Sequence, residues 1–157
     1  MPNHLQNFFA DAAIKASQDI ITALLRLPEE KRSWSPMGDA RTAIDTVAEC
    51  AILSGSTARL IETRVFAESF DNANYARIKA ELSQDFEALQ SLLDSNTALV
   101  AAAIRSLPDE ELKAEVMMPW GPMTLEQVCS YPYWNMSYHE GQINYIASML
   151  GCLGEGF

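Results

Sequence analysis

The sequence predicts an all-α protein, an antiparallel four-helix bundle, on three observations. Apolar residues recur at steps of three and four along four long segments, the period of helices with one buried face. Proline, glycine and short polar residues cluster where those segments end. No stretch alternates apolar and polar residues as a half-buried strand does. Long helices with apolar stripes bury them against one another, and four make a bundle. With 157 residues the chain is expected to form one domain over 1–157, long enough for a sizeable core.

The first helix is expected over about 4–26, with Leu5, Phe9, Ala12, Ala16, Ile20, Ala23 and Leu27 as its stripe and Pro28 as its stop. The second follows "WSPMG", with Asp39 as N-cap, and runs to about 69 on Ile44, Val47, Ala48, Ala51, Ile52, Ala58, Ile61 and Val65. Gly55 is a soft point in it, allowing either a kink or a close helix approach. After the turn formers of "SFDNANY", a third helix is expected over about 75–106, with Phe86, Leu89, Leu93, Leu99, Val100 and Ile104 inward and Pro108 beyond its end. The fourth spans about 124–150, with Thr124 as N-cap and Gly151 as stop, and Pro132 either kinks or splits it. Between the last two helices, "AEVMMPW" can be extended. "RLPEEKRSWSPMG" and "SLPDEELKAEVMMPWGPMT" echo each other, which suggests two pseudo-equivalent helix pairs with Trp34 and Trp120 near the bundle ends.

A formal charge of −10 argues against nucleic acid and against an anionic membrane surface as partners, since both need clustered Lys and Arg. No apolar run reaches the roughly 20 residues of a membrane span, and the first residues do not read as a signal peptide. Three cysteines without a C-x-x-C pair read as reduced thiols of a cytoplasmic protein, with Cys50 and Cys129 as small core hydrophobes. His4, in the first turn, is expected to face solvent.

The functional signal is a polar group on the apolar side of the last helix. At 100° per residue, Asn135 and His139 are neighbours and Gln142 is one turn further, on the arc that also carries Val128, Ile146 and Met149. Buried amide and imidazole groups need partners. Glu49, deep among the alanines of the second helix, is the expected partner of His139, with Asp45 one turn before it. Three readings are open: a hydrogen-bonded core network, a metal site, or an acid–base pair in which Glu49 orients His139. Tyr131, Tyr133, Trp134, Tyr138 and Tyr145 fit packing or an interface as well as a ligand cage.

"WSPMGDARTAIDTVAECA", "PWGPMTLEQV" and "NMSYHEGQINYIASMLG" resemble the corresponding segments of DinB-like (YfiT-like) four-helix proteins, in the same order along nearly the whole chain. The most specific part is His139-Glu140-Gly141-Gln142-Ile143. The resemblance implies an antiparallel bundle with a long second-to-third connection, often a homodimer, and a divalent metal (zinc, nickel or iron) on three histidines. Some such proteins are transferases or isomerases that use low-molecular-weight thiols. Carried over, the metal positions are Glu49, Asn135 and His139, so two of the three histidines are replaced. One histidine, one carboxylate and a weak amide bind such ions poorly, and low occupancy is expected. The function this implies is a homodimeric small-molecule-binding protein with a pocket between the second and last helices and a degenerate metal site. The alternative is a metal-dependent thiol transferase or hydrolase at the same place.

Overall fold

The computed structural model describes residues 3–67 and 71–154. Five helices are present among them: α1 (His4–Arg26), α2 (Ala43–Thr63), α3 (Asn72–Leu82), α4 (Phe86–Arg105) and α5 (Leu125–Met149). Strands β1 (Glu115–Met118) and β2 (Gly121–Thr124) form an antiparallel hairpin that pairs Glu115 with Thr124 and Met118 with Gly121. Strand β1 lies in the segment expected to be extended, and β2, which was not expected, pairs back on it.

Helices α1, α2, α4 and α5 make the four-helix bundle, two running each way. Each packs on two neighbours: α1 on α4 and α5, α2 on α4 and α5. Helices α1 and α2, consecutive among the bundle helices, therefore lie on a diagonal, and so do α4 and α5. The core has two parts. One joins the end of α1 and of α5 to the start of α2 and of α4, around Ile20, Leu24, Val47, Leu89, Leu93 and Ile143. The other joins the opposite ends to the hairpin, around Ile61, Val100, Ile104, Val116 and Leu125.

Local chemistry sets the boundaries. Thr42, not Asp39, caps α2: its backbone is extended and its side chain accepts from the Asp45 N–H. Asp39 sits in a turn closed by the Ala40 N–H on the Met37 carbonyl. Helix α2 stops at Thr63 because Arg64 takes a left-handed backbone, φ 61°. Val65 is consequently exposed rather than inward. The rest of the expected end of this helix, 68–69, lies outside the described residues. The expected third helix is two helices. Asp85 accepts from the Ala88 N–H and starts a new one, so the chain breaks at 83–85. Asn72 to Tyr75, read as turn, open α3 under an Asp71 cap. Leu99 faces solvent, not the core.

Helix α5 has the predicted Thr124 cap, reinforced by Gln127 in a capping box, and runs through Pro132 unbroken. Gly55 allows a close approach: a Cβ there would lie 2.7 Å from the Asn96 amide nitrogen on α4. The two Leu-Pro-acid stops fold alike, each into a single 3₁₀ turn, Glu29–Lys31 and Asp109–Glu111. Trp34 packs against the core, whereas Trp120 is exposed and meets Phe66 edge-on at 5.9 Å.

Candidate functional site

Glu49 comes from the middle of α2 and His139 from the buried side of α5. The His139 Nε2–Glu49 Oε1 distance is 2.9 Å, so the pair joins the two helices. The other ring nitrogen, Nδ1, lies 2.7 Å from Gln142 Oε1 one turn along. Gln142 thus serves the imidazole, and Gly141 beside it meets nothing within 4 Å. The glycine is not packed against another helix of the chain.

The second Glu49 oxygen accepts from Arg41 Nη1 at 2.6 Å. Arg41 also donates through Nε to Asp45 at 2.6 Å, and Lys79 on α3 reaches Asp45 at 3.2 Å. Tyr75, also on α3, hydrogen-bonds Glu49 and lies under the Lys79 ammonium, 4.9 Å from ring centre to Nζ. Arg41 and Lys79 thus face Asp45 and Glu49 beside the His139 ring. Burial favours a protonated Glu49, but the hydrogen bond from His139 and the charge of Arg41 outweigh it and hold its pKa at about 2. Burial, then the Glu49 charge, push the Tyr75 and Tyr131 phenols up.

Asn135 is also buried, and its amide nitrogen lies 3.6 Å from Cys50 Sγ. Both Cys50 and Cys129 are buried as expected. Burial pushes the Cys50 thiol up, and that of Cys129 up to about 12 against the opposing Arg64 charge. Neither is a thiolate nucleophile. On the same helix as His139, Tyr131, Trp134 and Tyr138 form a ladder with ring centres 5.8 and 5.6 Å apart, and Tyr138 meets His139 edge-on at 5.3 Å.

Of the three predicted metal positions, Glu49 and His139 are brought together and Asn135 faces Cys50. Their chemistry does not suit a divalent ion. A carboxylate only accepts, so His139 Nε2 carries a hydrogen toward Glu49 and offers no lone pair. The Glu49 oxygens are engaged by His139 and by Arg41, and the guanidinium charge opposes a dication. Among the described residues no group of three His, Cys, Asp or Glu is placed to hold a metal. Sequence reasoning missed Arg41, Tyr75 and Lys79. Arg41 had a signal, since it precedes Asp45 and Glu49 by four and eight residues, one helical face continued backwards.

The fold and this centre define a class: four-helix bundles with diagonal connections and a polar site shared by the second bundle helix and the last. Within that class the chain belongs to the DinB superfamily, whose family model matches residues 13–143. Among solved structures it is similar to YfiT from Bacillus subtilis, described as a probable metal-dependent hydrolase with an unusual four-helix bundle topology. The TM-score is 0.79 at 15% identity, over 93% of this chain and 87% of that one. It is also similar to a mycothiol-dependent maleylpyruvate isomerase, TM-score 0.71 at 12% identity, over 88% of this chain. There it spans only 60% of the other protein's length. The comparison with curated proteins gives no match. No helix among the described residues is long and apolar enough to cross a membrane.

Proposed function

We propose that this chain is a small-molecule-binding member of the DinB superfamily, with a hydrogen-bonded polar cluster at the positions that the resemblance assigns to a metal. One observation carries the reading: His139 Nε2 is held by Glu49, and Glu49 in turn by Arg41. Acid–base catalysis by His139 is disfavoured on the same ground, since both ring nitrogens are engaged inside the protein. What the centre offers a ligand is the rim of Tyr75, Tyr131 and Tyr138. The alternative, a divalent-metal-dependent thiol transferase or hydrolase, draws support from the two fold relatives. It requires Glu49 to release both His139 and Arg41.

Elemental analysis after dialysis against zinc, nickel and manganese separates the two. The expected result is metal far below one equivalent, the same in His139→Ala. Near-stoichiometric metal that disappears in His139→Ala overturns the proposal in favour of the alternative.

The reading includes a homodimer through α5. Trp134, Tyr138, Tyr145 and Met149 are exposed along one side of it, at 56%, 54%, 69% and 46%. An antiparallel two-fold pairing centred between Gly141 and Gln142 sets Trp134 opposite Met149 of the second copy, and Tyr138 opposite Tyr145. The stripe is therefore complementary to itself, as a two-fold interface requires. Light scattering that finds only monomer at high concentration removes the dimer.

A further inference from the structure

The elements around the Glu49–His139 centre are held in two different ways. Helices α2 and α5, which supply the pair, are each anchored by a buried apolar face. Helix α3, which brings Tyr75 and Lys79 to the same place, has no buried residue. Leu82, in its last turn, is partly buried against the core.

What fastens the rest of α3 is polar. Tyr75 and Lys79 stand four residues apart, on one face of the helix. The Tyr75 hydroxyl donates to Glu49. The Lys79 ammonium lies 3.2 Å from Asp45 and 4.9 Å from the centre of the Tyr75 ring. The side chains of this ion pair keep 16% and 28% of their exposure. Water replaces a partly exposed ion pair or hydrogen bond at small net cost, whereas drawing an apolar helix face out of a core is expensive. Parting α3 from α2 is therefore far easier than parting α2 from α5.

The end of α3 is built so that it can turn without disturbing its neighbour. The Asp85 N–H closes the last turn on the Leu82 carbonyl at 3.2 Å. The Asp85 side chain then accepts from the Ala88 N–H at 3.0 Å and starts α4 with a cap of its own. Helix α4 consequently owes none of its first turn to α3. Hinges are short segments of this kind between elements that each hold their own shape.

We propose that α3 is a lid on the Glu49–His139 centre, turning about Ser83–Asp85 with Leu82 as its anchor and held shut by the Tyr75–Glu49 and Lys79–Asp45 contacts. Shut, as here, it leaves the Glu49 side chain 17% and that of His139 6% exposed. Open, it frees the outer side of Glu49 and lets water reach the hydrogen that His139 Nε2 holds toward that carboxylate. Tyr75, part of the rim offered to a ligand, travels with it. The use of the lid, admission of a small molecule, rests on the function proposed above; its motion does not.

The test follows exchange of the His139 Nε2 hydrogen with water by NMR on the full chain, uniformly ¹⁵N-labelled, across urea concentrations below the unfolding transition. The amides of Val47 and Leu93, in the core, serve as the reference for global unfolding. Opening a lid exposes little surface, so exchange at His139 should depend weakly on urea while Val47 and Leu93 depend on it steeply. Lys79→Met and Tyr75→Phe should each speed exchange at His139 about three- to tenfold and keep that weak dependence. Raising NaCl to about 1 M should speed it in the wild type and much less in Lys79→Met. The lid is overturned if His139 exchanges with the urea slope of Val47 and Leu93, since the centre then opens only as the protein unfolds. It is overturned equally if both folded variants leave the exchange at His139 unchanged, or speed it only as much as they speed Val47 and Leu93. No ligand or metal enters the measurement, so the lid can fail while the function proposed above stands, and the reverse.

Discussion

Glu49 commits both carboxylate oxygens inside the protein, one to His139 and one to Arg41. Removing it strands a buried imidazole N–H and a half-buried guanidinium. Glu49→Ala is therefore expected to lower stability by about 1–3 kcal/mol in urea unfolding. A change of a few tenths would show that the pair contributes little. The pH dependence follows from the direction of the shift. Glu49 is held at about 2, below its ordinary 4.5, so its contribution is whole above about pH 4.5 and fades as pH falls toward 2. The gap in unfolding free energy between the wild type and Glu49→Gln should be wide near pH 7 and narrower near pH 3. An equal gap at both would exclude the ion pair as its source. The Glu49–His139 contact was legible in the sequence because both residues interrupt apolar helical faces. Arg41 was legible only by continuing the Asp45–Glu49 face back past the Thr42 cap, outside the helix itself. Tyr75 and Lys79 reach the site only through the placement of α3, which nothing local to them encodes.

At the scale of elements, the bundle helices were legible because burial imposes a period of three and four on each. Their interruptions were not. The expected third helix drew its stripe from Phe86 to Ile104 alone, and the Asp85 cap divides α3 from α4. Helix α3 has no fully buried residue and is fastened to α2 by the Lys79–Asp45 ion pair and the Tyr75–Glu49 hydrogen bond. Hydrogen exchange should find α3 among the first helices to open, and protection equal to α2 would contradict that attachment. The contact of α2 with α4 gives a sharper test. Gly55 leaves room for Asn96, whose amide donates to the Ala51 carbonyl at 2.8 Å. Gly55→Ala gains helix propensity but displaces that amide, and a net loss of about 1 kcal/mol is expected. In an Asn96→Ala background the same substitution should instead stabilise by about 0.5–1 kcal/mol. The same sign in both backgrounds would mean that the close approach is not what keeps the glycine.

For the molecule as a whole, Gly141 separates two states of association. It sits mid-helix with open space around its Cβ position. In a monomer, Gly141→Ala should raise stability by about 1 kcal/mol through propensity alone. In a dimer paired across α5 the added methyl falls at the centre of the contact. The substitution should then weaken self-association, read by light scattering across a concentration series. The diagonal arrangement of the bundle has a consequence for how the chain is made. Helix α1 finds its neighbours in α4 and α5, not in α2. During synthesis its apolar face waits without a partner while the middle of the protein is built, and the last helix to emerge is one that it needs. Contacts this distant along the chain slow the search for the native state. The bundle closes late, as a unit, and a ribosome-bound N-terminal half ending before α4 carries an apolar face with no helix to cover it.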